Sequence, residues 1–117
     1  MPITSHARLR LLRGSEIALG PGKVELIEGI AELGSIAAAG RRMGMSYRRA
    51  WMLVATMNRC FRRPVVEATK GGIHGGGARV TPFGLMVLAQ YHELEGHAAR
   101  QFDALLAPRP ARPNRPR

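Results

Sequence analysis

The sequence predicts a mainly α-helical fold with small β-hairpins, an α+β arrangement. Three observations predict it. Apolar residues recur at spacings of three and four in several stretches, as on the buried face of a helix. Two other stretches have strand composition around glycines, as short hairpins do. Only a few residues around Gly44 separate two helical patterns, which predicts a tight turn.

The last ten residues differ in composition from the rest of the chain, and this predicts the domain organisation. We expect one domain over residues 1–107, since a chain of 117 residues is long enough for a single core. Residues 108–117 (PRPARPNRPR) contain only one apolar side chain besides proline, so they cannot bury enough surface to fold. We therefore expect a disordered basic Pro/Arg tail.

The first part of the chain predicts a hairpin and a helix. Residues 7–20 (ARLRLLRGSEIALG) alternate apolar and polar side chains around a Gly-Ser pair, which predicts two short strands or an irregular hairpin. From Lys23 to Gly34 the apolar spacing predicts a helix of about ten to twelve residues. Its repeating apolar residues are Val24, Ile27, Ile30 and Ala31.

The stretch GSIAAAGRRMGMSYRRAW contains two predicted helix starts close together. Ser35 can cap the first helix, whose three consecutive alanines allow close approach to a neighbouring helix. Ser46 can cap the second, which we expect to extend to about residue 63, because Pro64 forbids continuation. Its outward face carries Arg48, Met52, Ala55, Thr56 and Arg59. This pattern predicts a helix-turn-helix, with the second helix free to enter a major groove.

Other side chains of the second helix are predicted to pack inside the protein. Trp51 and Phe61 lie on or beside its apolar stripe, so we expect both in the core. Cys60 is also expected to be buried near Phe61, although a redox role is the alternative.

A second hairpin is predicted after Pro64. VVEAT and RVT have strand composition, and the glycine-rich loop KGGIHGGGA joins them. A hairpin that follows a recognition helix is called a wing, and we expect this one over about residues 70–79. Lys70, His74 and Arg79 would then face the flanking phosphate backbone or the minor groove.

Thr81 and Pro82 predict the start of a long last helix, as N-cap and first-turn residue. Its apolar spacing is long enough to pack on the core and still extend beyond it, so its far half is a candidate dimerisation helix. The predicted dimerisation residues are Val87, Tyr91, Leu94, Ala98 and Leu105.

The net charge of +10 is concentrated in two segments. Residues 40–70 contain eight cations and one acid, and the tail contains four arginines and no acid. The rest of the chain is close to neutral. A basic stripe on a nearly neutral fold is typical of a polyanion-binding surface, since each phosphate contact releases condensed counterions. A solvated arginine-rich surface is the alternative.

Together, GSIAAAGRRMGMSYRRAW, TMNRCF and VVEATKGGIHGGGARVTPFG resemble the N-terminal DNA-binding domain of the molybdate-responsive transcriptional regulators, the ModE family. The resemblance covers about residues 8–105. It implies a winged helix-turn-helix that dimerises through its terminal helices and binds a two-fold-related operator. By this match Ser46, Tyr47, Arg48 and Arg49 begin the recognition helix, and residues 71–79 lie in the wing.

The chain departs from the ModE pattern in two places. Full-length family members carry molybdate on C-terminal domains, whereas this chain ends soon after the last predicted helix, so we do not expect molybdate to bind this chain alone. The wing sequence TKGGIHGGGA is also longer and differently charged than the usual TGGKGGGGA.

We predict a sequence-specific transcriptional regulator that binds double-stranded DNA as a homodimer. The predicted DNA-contacting residues are Ser35, Ser46, Tyr47, Arg48, Arg49, Met52, Thr56, Arg59, Lys70, His74 and Arg79. One alternative is a nucleoid-type or RNA-binding protein that uses the same basic surface without reading sequence. Another is a DNA-binding partner subunit of a separate sensor protein.

Several other classes of protein are not expected. The histidines and Cys60 show no metal-ligand spacing, and no catalytic triad or carboxylate pair stands out, so we predict no enzyme, metal or cofactor. The glycine loop lacks the Gly-Lys-Ser/Thr of a nucleotide-binding loop. No apolar run approaches the roughly 18 residues of a membrane span. A single cysteine fits the cytoplasm, where we expect the protein.

Overall fold

A computed structural model describes residues 5–69 and 77–107 of the chain. Their elements are, in chain order, β1 (Leu11–Arg13), β2 (Glu16–Leu19), α1 (Pro21–Leu33), α2 (Ile36–Arg42), α3 (Tyr47–Cys60), β3 (Val66–Thr69), β4 (Gly77–Val80) and α4 (Pro82–Asp103). The predicted α+β arrangement of helices and small hairpins is confirmed. None of the helices in these residues is long and apolar enough to cross a membrane.

The first hairpin is irregular, as predicted. β1 and β2 are antiparallel, and the register shifts between Leu11 and Leu12, so the pair contains a bulge. Gly14 makes the turn with φ +62°, in the left-handed region that glycine adopts without a Cβ clash. The hairpin leads directly into α1, which ends at Gly34, where the backbone N–H donates to the Ile30 carbonyl.

Side-chain caps fix the starts of both helices of the helix-turn-helix. The Ser35 hydroxyl accepts from the Ala38 N–H and the Ser46 hydroxyl accepts from the Arg49 N–H, each at 3.1 Å. Between the helices, Gly44 has φ +74°. Both predicted capping serines are therefore confirmed, and the turn lies where the sequence places it.

The predicted end of the recognition helix at about residue 63 is wrong, because α3 ends at Cys60. Phe61 leaves the helix with φ −96° and ψ 156° and packs edge-on against Phe83 of α4, with ring centroids 6.3 Å apart. Proline also disfavours helical geometry in the residue before it, which here is Arg63. The helix therefore ends early enough for the chain to turn back toward β3.

Small residues allow the first three helices to pack closely. A Cβ added to Gly40 of α2 would lie 2.8 Å from the Ala50 Cβ of α3, and one added to Gly29 of α1 would lie 3.1 Å from the Ala39 Cβ of α2. Ala39 and Ala50 are fully buried. The alanine run thus gives α2 a close neighbour, as predicted, and α2 packs against both α1 and α3.

Each strand of the wing is hydrogen-bonded to the helical core. β3 and β4 are antiparallel, with Val66 opposite Val80. The Asn58 side chain of α3 accepts from the Val65 N–H at 2.8 Å and donates to the Val66 carbonyl at 2.9 Å. The Ala78 N–H donates to the Gly34 carbonyl at 3.0 Å. These bonds fix the base of the wing relative to α1 and α3.

Thr81 and Gly84 join α4 to the segment before β3. The Thr81 hydroxyl caps α4 by accepting from the Gly84 N–H and donates to the Pro64 carbonyl at 2.7 Å. A Cβ added to Gly84 would lie 2.2 Å from the Val65 carbonyl oxygen. Only glycine therefore lets α4 approach this backbone.

Two glycines of α4 provide a matched pair of substitutions. We expect Gly84→Ala to lower the free energy of unfolding by about 1–3 kcal/mol or more. The added Cβ would clash with the Val65 backbone, which cannot rotate away. Gly96→Ala should stabilise the protein by about 0.5–1 kcal/mol, since the nearest atom there is the flexible end of Arg100. Urea denaturation of both variants measures the difference, and equal midpoints would contradict this packing.

Candidate nucleic-acid interface

The outer face of α3 carries polar and cationic side chains along its length. Its residues border a shallow cleft of about 300 Å³, and Met52, one of the lining residues, is 62% exposed. The lining residues are Ser46, Arg48, Arg49, Met52, Leu53 and Thr56. The structure thus brings together five residues predicted as DNA contacts, while Ala50, Val54 and Met57 of the opposite face are buried.

Two cations sit at the positive end of α3. Arg48 and Arg49 lie in its first turn, which contains no acidic residue. Neither forms a salt bridge with a carboxylate in residues 5–69 or 77–107. A cation at a helix N-terminus is opposed by the helix dipole by typically about 0.3–1 kcal/mol. An anion bound beside this turn would offset the unfavourable interaction of both arginines with the helix dipole.

Trp51 is not the core residue that the sequence predicts. It is 40% exposed, and its ring stands edge-on to Tyr47 with the centroids 6.3 Å apart. The indole N–H donates to the Tyr47 hydroxyl. Both rings border a small cavity of about 120 Å³ that also includes Ser35 and Ala78. The prediction failed because Trp51 lies at the edge of the apolar stripe, where α3 faces α2 and the wing instead of the core.

Arg59 lies at the far end of α3 and is engaged in an ion pair. Its guanidinium is 2.8 Å from the Glu16 carboxylate of β2. The hydrogen bond from Arg59, and then its positive charge, lowers the pKa of Glu16. The pair links α3 to the first hairpin, so a DNA contact by Arg59 would compete with this link.

Only part of the predicted wing lies within the described residues. Arg79 of β4 forms a cross-strand pair with Glu67 of β3, in which its Nε donates to the carboxylate at 2.8 Å. Lys70 and His74, also predicted as wing contacts, lie outside the described residues. Arg79 is thus partly neutralised at the base of the wing.

The predicted dimerisation residues divide into two groups. Tyr91 is only 2% exposed and its hydroxyl donates to the Leu9 carbonyl at 2.7 Å, so it belongs to the core of its own chain. Val87 also packs against that core, and Ala98 is half-buried. Leu94 and Leu105 are exposed. Their side chains are therefore accessible to a second protein chain. Phe102 and Leu106, which the sequence pattern did not single out, are also exposed near the end of the described chain.

Three further cations near α3 were also missed. Arg8, Arg10 and Lys23 line a cleft together with Arg49. No periodicity links these residues in the sequence, since the cleft forms only when the first hairpin and α1 pack beside α3. In the described part of the chain, no group of three or more His, Cys, Asp or Glu side chains could hold a metal ion.

The chain is similar in sequence to curated molybdenum-related proteins, although no protein-family model matches it. It is 41% identical over 99 residues to the molybdenum-pterin-binding protein MopA of Rhodobacter capsulatus, covering 85% of this chain and 37% of that protein. It is 34% identical over 85 residues to the DNA-binding transcriptional dual regulator ModE of Escherichia coli K12, covering 73% of this chain and 32% of that protein. The chain is a homologue of the ModE, MopA and MopB proteins. It spans about a third of their length.

The fold is also similar to that of a solved LysR family transcriptional regulator. The TM-score is 0.52 at 12% sequence identity, over 72% of this chain and 27% of that one. At this identity the likeness concerns the fold alone. Together with the described helices and hairpins, it confirms the predicted winged helix-turn-helix.

The Glu16–Arg59 pair predicts an acid-dependent loss of stability. Because the folded state lowers the pKa of Glu16, the pair contributes stability above the ordinary glutamate pKa of about 4.3, and this contribution is lost as the pH falls through the lower folded pKa. We expect Glu16→Gln to show a weaker decrease in urea midpoint between about pH 6 and pH 3 than the unmodified protein. Glu93→Gln, which removes an exposed glutamate of α4, is the control. An equal decrease in all three proteins would contradict the role of the pair.

Proposed function

We propose that this chain is the sequence-specific DNA-binding domain of a transcriptional regulator that acts as a homodimer. The observation that carries the proposal is the exposed face of α3, which starts with two arginines that have no carboxylate partner in the described residues, after a tight turn of a winged helix-turn-helix. α3 would lie in the major groove, and the wing would contact the flanking backbone or the minor groove. Homology to proteins named as DNA-binding transcriptional regulators supports this proposal.

The residues of the α3 face suit both phosphate and base contacts. Arginine can donate two hydrogen bonds to guanine O6 and N7 or to a phosphate. Met52 and Thr56 offer apolar groups for a thymine methyl, since the Thr56 hydroxyl already donates to the Met52 carbonyl at 2.9 Å. A face with two arginines and adjacent apolar groups can therefore distinguish guanine and thymine from the other bases.

The proposal of a homodimer is supported by exposed apolar side chains of α4 and of the residues after it. Leu94, Phe102 and Leu105 are exposed, and Leu105 is 73% exposed. If these side chains form one contiguous apolar patch, that patch would be a protein contact site. A second copy of the chain would cover them and would place two recognition helices on a two-fold-related operator, about 34 Å apart.

No molybdate site is part of this proposal. The names of MopA and MopB describe molybdenum-pterin binding by those proteins, of which this chain spans about a third. We propose no catalytic activity for the chain either, because the chemistry of the α3 face is that of cations and hydrogen-bond donors.

Replacing Arg48 and Arg49 should affect DNA affinity and protein stability in different directions. We expect Arg48→Ala/Arg49→Ala to weaken binding to a duplex selected from a random library by about 1–3 kcal/mol per arginine, at least tenfold in total. The same variant should unfold at an equal or higher urea concentration, because it removes two cations from the positive end of α3. Fluorescence anisotropy and urea denaturation measure the two effects.

The matched control is Arg13→Ala/Arg100→Ala, which removes the same charge outside the exposed face of α3. It should lower affinity only slightly and to the same extent for selected and random duplexes. Undiminished binding by the Arg48/Arg49 variant would exclude the recognition-helix assignment. A large loss of stability in that variant would instead indicate a structural role for the two arginines.

Charged substitutions on α4 and the segment after it test the homodimer. Leu94→Glu/Leu105→Glu should shift the solution mass from twice the chain mass to the monomer value of 12.8 kDa, because two carboxylates would have to be buried at the contact. Leu12→Glu, at an exposed position of the first hairpin, should remain dimeric. Sedimentation equilibrium measures both masses. A monomeric unmodified protein at micromolar concentration would contradict this part of the proposal.

A further inference from the structure

An open cleft of about 550 Å³ separates the first hairpin and the start of α1 from the start of α3. Its charged lining residues are all cations, namely Arg8, Arg10, Lys23 and Arg49. We call it the basic cleft. Arg49 also lines the cleft on the outer face of α3, so the two surfaces are continuous.

Three of the four cations of the basic cleft are placed by contacts within the fold. The Arg10 side chain packs against Gly20, where a Cβ would lie 3.4 Å from the Arg10 Cγ. The Lys23 ammonium donates to the Ile17 carbonyl of β2. The Arg49 backbone is fixed by the Ser46 cap. The fold thus holds Arg10, Lys23 and Arg49 in position around the cleft.

The cations of the basic cleft form no close ion pairs within the described residues, although Arg8 also borders a second cleft lined by Glu25, Glu28 and Glu95. None of its four cations forms a salt bridge there, whereas Arg42, Arg59 and Arg79 each pair with a glutamate. Like charges brought together without a counterion repel, and a bound anion would relieve this repulsion. The arrangement therefore fits an anionic ligand.

The start of α1 adds hydrogen-bond donors to the same cleft. Gly20 gives no side-chain cap to this helix, and Gly22 and Lys23 of its first turn line the cleft. A Cβ added to Gly22 would meet no atom within 4 Å, so the backbone there faces open space. These donors supplement the four cations, which are the main attraction for an anion.

We propose that the basic cleft binds a phosphate-type oxyanion, and that a DNA backbone phosphate is its source. This proposal rests on the proposed function, because the same Arg49 borders both the basic cleft and the α3 face. The cleft volume is many times the roughly 30 Å³ of a water molecule, enough for a phosphate with part of its sugar. The first hairpin would then hold DNA beside the recognition helix, in addition to the wing.

The salt dependence of binding to a random duplex tests the DNA source. Arg8→Gln/Arg10→Gln should reduce the slope of log K against log salt concentration by about 0.9 for each phosphate that the variant no longer neutralises, over about 50–200 mM salt. The matched control Arg13→Gln/Arg100→Gln removes the same charge outside the cleft and should keep the slope. Dispersed amide spectra of both variants show that each is folded.

Inorganic phosphate tests the site independently of DNA. At an ionic strength held constant with chloride, phosphate should shift the amide resonances of Gly22 and Lys23 saturably in the unmodified protein and in the control. It should not do so in Arg8→Gln/Arg10→Gln. If the protein binds no duplex at all, the proposed function fails, and this titration alone decides whether the basic cleft binds an oxyanion.

The combined outcomes identify the source or overturn the site. A reduced slope confined to Arg8→Gln/Arg10→Gln supports a DNA phosphate in the basic cleft. If phosphate shifts the amide resonances saturably but the salt-dependence slope of DNA binding is unchanged, the basic cleft binds an oxyanion. The ligand is then a free oxyanion and not a DNA phosphate. An unchanged slope together with no saturable phosphate shift overturns the proposal.

Discussion

The contact between Gly40 and Ala50 determines how closely α2 approaches α3, and the candidate interface depends on this approach. A side chain on Gly40 would meet the Ala50 Cβ at 2.8 Å, and the neighbouring Ala39 packs against Gly29 on the other side of α2. Small residues on both faces of α2 thus bring three helices together without a large side chain between them. Because Ala50 is fully buried, the opposite face of α3 is directed outward.

The distribution of ion pairs separates structural cations from candidate functional ones. Arg59 and Arg79 pair with glutamates and connect neighbouring elements. Arg48 and Arg49 have no such partner in the described residues, although they lie at the end of α3 where a cation is least favourable. The helix dipole opposes cations at this position, and a bound anion would offset that unfavourable interaction. Together with homology to regulators, this placement supports DNA as the ligand.

The sequence was sufficient for the elements that depend on local signals. Ser35, Ser46 and Thr81 cap helices where predicted, since a cap needs only its own turn. Tertiary contacts explain the errors: Phe61 leaves α3 to meet Phe83, and Trp51 faces α2 and the wing. The basic cleft has no local signal, because its cations converge only through packing of the first hairpin beside α3.

The most direct test of the account is binding to a selected duplex and to a random duplex, measured by fluorescence anisotropy across a range of salt concentrations. If α3 reads bases, the selected duplex should bind more tightly, and the difference should persist as salt rises, since base contacts release few counterions. Equal affinities that decrease together would contradict sequence recognition. The protein would then bind DNA through charge alone, without recognising its sequence.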